Sequence, residues 1–76
     1  MSTTAEMRTS LVAAIAAGDL RRSNIHTVAL KAALDAGGDV PPGGAVAIPD
    51  DVDGPRSGGR AVVARIMELN KLLAGG

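Results

Sequence analysis

The stretch SGGRAVVARIMELNKLLA, residues 57–74 of a chain of 76 residues, decides the fold. Its larger apolar side chains recur at alternating steps of four and three, which is the spacing of one face of an α-helix. They are Val62, Ile66, Leu69 and Leu73. Because a seam of this period lets helices pack side by side, the stretch predicts a bundle helix over residues 58–74.

The amino-terminal part of the chain predicts a helix over residues 4–17. Glu6 follows Thr3 at the spacing of a capping box, in which side-chain and backbone groups pair at the start of a helix. Gly18 is placed to end the helix in a left-handed conformation. The apolar residues that recur on one face are Met7, Leu11, Ala14 and Ile15. The segment therefore predicts an amphipathic helix.

Between these two segments the sequence predicts another helix, the second along the chain, over residues 24–36. It starts after Ser23 or Asn24, both of which are good N-cap residues, and it ends at Gly37 and Gly38. We expect one apolar side, with two leucines beside it. The side is made of Ile25, Val28, Ala29, Ala32 and Ala36, and the leucines are Leu30 and Leu34.

Residues 37–57 interrupt this helical pattern with many glycines and four prolines, which exclude a continuous helix. Residues 45–48 favour an extended conformation, which another chain could pair with by strand addition. We therefore expect an arm that is mobile in isolation and becomes ordered on a partner through Val46, Ile48 and Val52. The predicted fold is a single all-α domain over residues 1–76, a small bundle of two or three short helices with a long Pro/Gly-rich loop between the second and third.

The composition excludes several kinds of chemistry. The chain has no cysteine and no aromatic residue, and its one histidine is His26. Disulfides, thiolate metal ligands, a cysteine nucleophile and aromatic stacking of bases are thereby excluded. We predict that the protein is not an enzyme and has no catalytic residue, no metal and no cofactor.

Two glycine- and aspartate-rich motifs fail when they are read closely. Residues 54–61 have the glycine spacing of a phosphate-binding loop, but Arg60 replaces the lysine and Ala61 the hydroxyl that binds magnesium. The aspartates before Gly54 resemble part of a calcium loop, but the first ligand position falls on Pro49. A hinge and a solvated acidic turn are the better interpretations.

The distribution of charge gives only a weak indication of nucleic-acid binding. The chain has eight basic and eight acidic residues, so no net field draws it to nucleic acid or to an anionic membrane. A local basic cluster nevertheless lies near the junction of the first two predicted helices. The candidates for contact with an anion or nucleic acid are Arg21, Arg22, Lys31, Arg56 and Arg60.

The short chain and its alanine-rich core predict that stability needs another chain, since domains of about 60 residues bury only about 60% of their unfolded surface. We expect an oligomer, or a non-enzymatic accessory subunit of a larger assembly such as a phage capsid, a phage neck or a comparable shell. The seam Val62, Ile66, Leu69 and Leu73 would bind the partner. The alternative is a small regulatory DNA-binding or antitoxin-like protein that uses Arg21, Arg22 and Lys31. Either would be cytoplasmic or in the virion, not secreted, because the longest apolar stretch is Leu11–Ala17 and is too short to span a membrane.

Overall fold

The computed structural model describes residues 3–50 and 59–75, and this part of the chain holds three α-helices and no strand. Helix α1 spans Thr4–Ala16, α2 spans Leu20–Asp35 and α3 spans Gly59–Leu73. The all-α prediction is confirmed. Residues 51–58 contain Val52 and Arg56, and the predictions for those two residues lie outside the described part.

The ends of α1 follow the expected chemistry. The Thr3 hydroxyl oxygen accepts a hydrogen bond from the Glu6 backbone N–H at 3.2 Å, which caps the amino terminus. At the other end Gly18 has a φ of +72°, and its N–H bonds the carbonyl of Ile15. The Asp19 N–H bonds the Ala14 carbonyl one turn back, so the helix ends in a Schellman motif.

Helix α2 begins four residues before the predicted start, because its cap is Asp19 rather than Ser23 or Asn24. The Asp19 carboxylate accepts a hydrogen bond from the Arg22 backbone N–H at 3.0 Å. One residue thus closes α1 through its backbone and caps α2 through its side chain. The two helices are joined by a very short turn and pack against each other more extensively than either packs against α3.

The face of α2 that is buried is not the predicted one. Ser23, Thr27 and Leu30 are buried, whereas Ile25 and Val28 are exposed. The two hydroxyls are accommodated because each donates within its own helix, Ser23 to the Leu20 carbonyl at 2.9 Å and Thr27 to the Ser23 carbonyl at 2.7 Å. Small polar residues therefore occupy positions that the predicted apolar side would have filled.

The core is entirely aliphatic and draws on all three helices. Its buried members are Leu11, Ile15, Leu30, Ile66, Leu69 and Leu73. Half-buried side chains pack around them, namely Met7, Val12, Leu34, Val46 and Val62. The three helices are therefore held together by one small cluster of leucine and isoleucine side chains.

After α2 the chain turns back along α1. Gly37, with a φ of +91°, bonds the Leu34 carbonyl, and the Gly38 N–H bonds the Ala33 carbonyl, which makes a second Schellman motif. There is no room for a larger residue at Gly38, where a Cβ would lie 2.8 Å from the Ala33 carbonyl oxygen. Residues 38–50, which we call the strap, then run over the helices.

Candidate interaction surfaces

The seam of α3 that was predicted to bind a partner lies inside the chain. Ile66, Leu69 and Leu73 are buried, and Val62 is half-buried against the same core. The periodicity was therefore a correct indication of packing, and the side chains that it is packed against belong to α1 and α2. In this arrangement the seam offers little surface to a second protein, and its binding to a partner stays a prediction.

The strap is held to α3 by the side-chain amide of Asn70. The Val46 backbone N–H donates to Asn70 Oδ1 at 2.7 Å, and Asn70 Nδ2 donates to the Val46 carbonyl at 2.9 Å. A carboxamide can do this because it presents a donor and an acceptor side by side, as a peptide group does. We call this pair of bonds the Asn70 clamp. It satisfies both backbone groups of Val46, whose side chain packs on the core.

Two side chains of α1 hold the earlier part of the strap. The Thr4 hydroxyl donates to the Asp39 carbonyl at 2.7 Å, and Arg8 Nη2 donates to the Gly44 carbonyl at 3.2 Å. Pro41, between these two contacts, is buried. Of the strap residues predicted to bind a partner, Val46 is thus used within the chain, whereas Ile48 remains exposed.

The outer face of α2 carries two of the exposed large apolar side chains, and the others in the described residues are Val40, Ile48 and Met67. Ile25 is 60% exposed and Val28 is 70% exposed. They belong to a line of exposed residues with helical spacing, opposite the buried face, which we call the outer face: Arg21, Ile25, Val28, Ala32 and Asp35. An apolar centre is thus flanked by a positive charge at one end and a negative charge at the other.

The basic residues of the junction do not form one patch. Arg21, Arg22 and Lys31 are all exposed, but nine residues separate Arg22 from Lys31. Nine residues are two and a half turns of an α-helix, so these two side chains leave α2 on opposite sides. Arg60 is exposed at the start of α3. A nucleic acid bound to one side of the protein would therefore contact only some of these basic residues.

Neither a metal-ligand cluster nor a membrane-spanning helix occurs in the described part of the chain. No cluster of three or more His, Asp or Glu residues that could hold a metal ion occurs within residues 3–50 and 59–75. A shallow open depression on α1 is lined by Ala5, Glu6, Thr9 and Ser10, and the Thr9 hydroxyl in it already donates to the Ala5 carbonyl. None of the three described helices is both long and apolar enough to cross a bilayer.

Comparison with known proteins identifies no relative. No family model matches the chain, and no curated protein or solved structure is significantly similar to it. The outer face of α2 and the Asn70 clamp therefore have to be interpreted from their own geometry. The sequence pattern indicated Ile25 and Val28 as part of an apolar side but not their exposure, and nothing in the sequence marks Asn70.

Proposed function

We propose that this is a non-enzymatic interaction protein that works as a small subunit of a larger assembly. The outer face of α2 is its binding surface. The observation that carries the proposal is the exposure of Ile25 and Val28, at 60% and 70%, on the side of the helix that faces away from the core.

The adjacency of Ile25 and Val28 on one helix face supports binding. Isolated exposed apolar residues are ordinary on protein surfaces, whereas a contiguous line of them is typical of an interface. Fully burying a valine or isoleucine side chain contributes about 1.5–3 kcal/mol, and covering the exposed parts of Ile25 and Val28 contributes roughly two thirds of that for each. A chain with so small a core gains substantially from such a contact.

The finer proposal is that the assembly is a phage virion, through a capsid or neck component, or a comparable shell. Subunits of this kind supply contact surfaces rather than reactive groups. The chain fits that role because it has no cysteine, no aromatic residue and a net charge of zero. The strap adds a second surface, on which Ile48 is exposed.

The experiment is to express the tagged chain in its source cells and to sediment the native lysate. Wild-type protein is expected in a complex larger than two copies of the 7.6 kDa chain. Val28→Asp should release the chain from that complex, because it places a charge in an apolar contact. Val40→Asp is the matched control, since Val40 is 59% exposed and lies outside the outer face. A wild-type chain that sediments as a monomer or dimer would contradict the proposal.

A second candidate function is regulation through DNA, as a small DNA-binding or antitoxin-like protein. The exposure of Arg21 and Arg22 in the first turn of α2, with Lys31 exposed further along the same helix, favours it. Non-specific binding driven by phosphate contacts alone lies at about 10⁻⁴–10⁻⁶ M, so nanomolar binding of one duplex at physiological salt is the discriminating result. The double variant Arg21→Ala with Arg22→Ala should abolish such binding if this candidate is right.

A further inference from the structure

We propose that the outer face of α2 pairs with the outer face of a second copy of this chain, in an antiparallel arrangement with a two-fold axis at Val28. This inference rests on the proposed function, because it names the first partner of the same surface. The order of charges along α2 is what identifies a second copy as the partner.

The outer face is self-complementary about its centre. Arg21 lies seven residues before Val28 and Asp35 lies seven residues after it, and all three are exposed. Seven residues are close to two helical turns, so both charges lie on the same side of the helix as Val28, about 10 Å from it along the axis. A two-fold axis at Val28 therefore places Arg21 opposite the partner subunit's Asp35, and the same pair recurs at the other end.

The charges also select the direction of the pair. If the two helices ran parallel in register, Arg21 would face Arg21 of the partner subunit, and Asp35 would face Asp35 of the partner subunit. Like charges placed opposite each other destabilise a helix pair, whereas opposite charges at its flanks set orientation. The antiparallel arrangement turns both unfavourable contacts into favourable ones.

The apolar centre has a shape that suits close packing of two helices. Ile25 and Val28 supply the protruding side chains, and Ala32 continues the line with only a methyl group. The spacing from Arg21 to Asp35 alternates four and three, as in a coiled-coil seam. Small residues beside larger ones let the two axes approach to about 8–10 Å.

The area of this contact implies a weak dimer. Helix α2 has 16 residues and is therefore about 24 Å long. Two helix faces of this length bury a total surface area below the roughly 1,200 Å² of stable interfaces. We expect association in the micromolar to millimolar range, so that the protein is a monomer when dilute and a dimer when concentrated, as it would be within an assembly.

Sedimentation equilibrium of the purified full chain, from about 5 μM to about 1 mM, measures the dissociation constant. Val28→Asp should raise the constant beyond the measurable range, and the control Val40→Asp should leave it within about threefold of wild type. Circular dichroism shows whether each variant keeps its helices, which is expected because both positions are exposed. A wild-type chain that is monomeric at 1 mM overturns the inference, as does equal dissociation by both substitutions.

Charge reversal tests the direction of the pair. Arg21→Asp alone and Asp35→Arg alone each place like charges at both ends of the antiparallel dimer, and each should weaken it by about tenfold. The double variant Arg21→Asp with Asp35→Arg exchanges the charges and should return the constant to within about threefold of wild type. Weakening that the double variant does not reverse would overturn the antiparallel arrangement.

A cross-link tests the position of the axis. The chain has no cysteine, so Val28→Cys supplies its only thiol, and mild oxidation at high concentration should join two copies. Val40→Cys should remain monomeric. If the pure protein does not dimerise while Val28→Asp still releases the chain from its complex in cells, self-pairing fails and the proposed function stands. If the pure protein dimerises through Val28 but no larger complex exists in cells, the proposed function fails and self-pairing stands.

Discussion

Replacing Asn70 by alanine should detach the strap from α3 without disturbing the helix itself. The Asn70 amide makes both polar contacts to Val46, as donor at 2.9 Å and as acceptor at 2.7 Å. The substitution removes both contacts at once, and alanine is fully compatible with the helical conformation of α3.

The expected loss of stability follows from two opposing effects. Each hydrogen bond contributes a net of about 1 kcal/mol, so losing both costs about 2 kcal/mol. Alanine is a better helix former than asparagine by about 0.5 kcal/mol, which offsets part of that loss. The net is about 1.5 kcal/mol, and in a domain of this size it lowers the melting temperature by roughly 6–12 °C.

Urea denaturation followed by circular dichroism measures the change, and Asn24→Ala is the matched control. Asn24 also lies within a helix, and its side-chain oxygen accepts from Arg65 on the exposed surface, so the same gain in helix propensity applies. Asn24→Ala also removes the exposed hydrogen bond from Arg65, so the difference between the two variants reports the Asn70 clamp less that one bond.

Hydrogen exchange gives a second readout at the strap itself. The Val46 amide should be protected in the wild-type chain and should exchange rapidly in Asn70→Ala, because its acceptor is gone. The same measurement tests the arm that the prolines and glycines predicted, because a strap that is mobile in isolation would leave the Val46 amide unprotected in the wild-type chain as well. The reasoning fails if Asn70→Ala unfolds within about 0.5 kcal/mol of Asn24→Ala and the Val46 amide stays protected.

Three further substitutions test the fold. Gly18→Ala should cost about 1–2 kcal/mol by chemical denaturation, because a Cβ there meets open space and only the φ of +72° opposes it; Gly18→Asn should cost less. Leu69→Ala should cost about 2–5 kcal/mol and leave much of the protein unfolded in a thermal melt, whereas half-buried Leu72→Ala should cost clearly less. Thr27→Val should change stability by less than about 1 kcal/mol, since its hydroxyl bonds only the Ser23 carbonyl of its own helix, and a loss above 2 kcal/mol would show that this hydroxyl does more.

The sequence predicted α1 and α3 well because their apolar residues are large and regularly spaced. Leu11 and Ile15 in α1, and Ile66 and Leu69 in α3, are all buried as their spacing implied. For these helices the hydrophobic pattern and the packing agree, so periodicity alone is sufficient.

Helix α2 misled the same reasoning for two physical reasons. Its cap, Asp19, lies next to the glycine that ends α1, so one residue serves both helices and the linker expected before Ser23 does not exist. Its buried face carries Ser23 and Thr27, whose hydroxyls donate to their own helix and so cost little to bury. Ranking faces by hydrophobicity therefore gave the side with Ile25 and Val28 as the apolar one, and the structure leaves both residues exposed.

The interaction surfaces were harder to predict than the helices. The seam of α3 has the same pattern whether it meets another protein or the rest of its own chain, and only the packed structure distinguishes the two. The Asn70 clamp joins residues 24 positions apart and depends on one amide, so no local pattern indicates it.

The Asn70 clamp also sets a rule for the length of the chain. Because one amide pairs with both backbone groups of a single residue, a residue added or removed between Gly38 and Val46 must be absorbed within the turn at residues 42–43 or it displaces Val46 from Asn70. Beyond Val46, residues 47–50 make no comparable pairing with the described helices. A reporter peptide or epitope inserted after Ala47 should therefore leave the Asn70 clamp intact, whereas the same insertion at Pro42 lies between the Thr4 contact and the clamp and should weaken one of them.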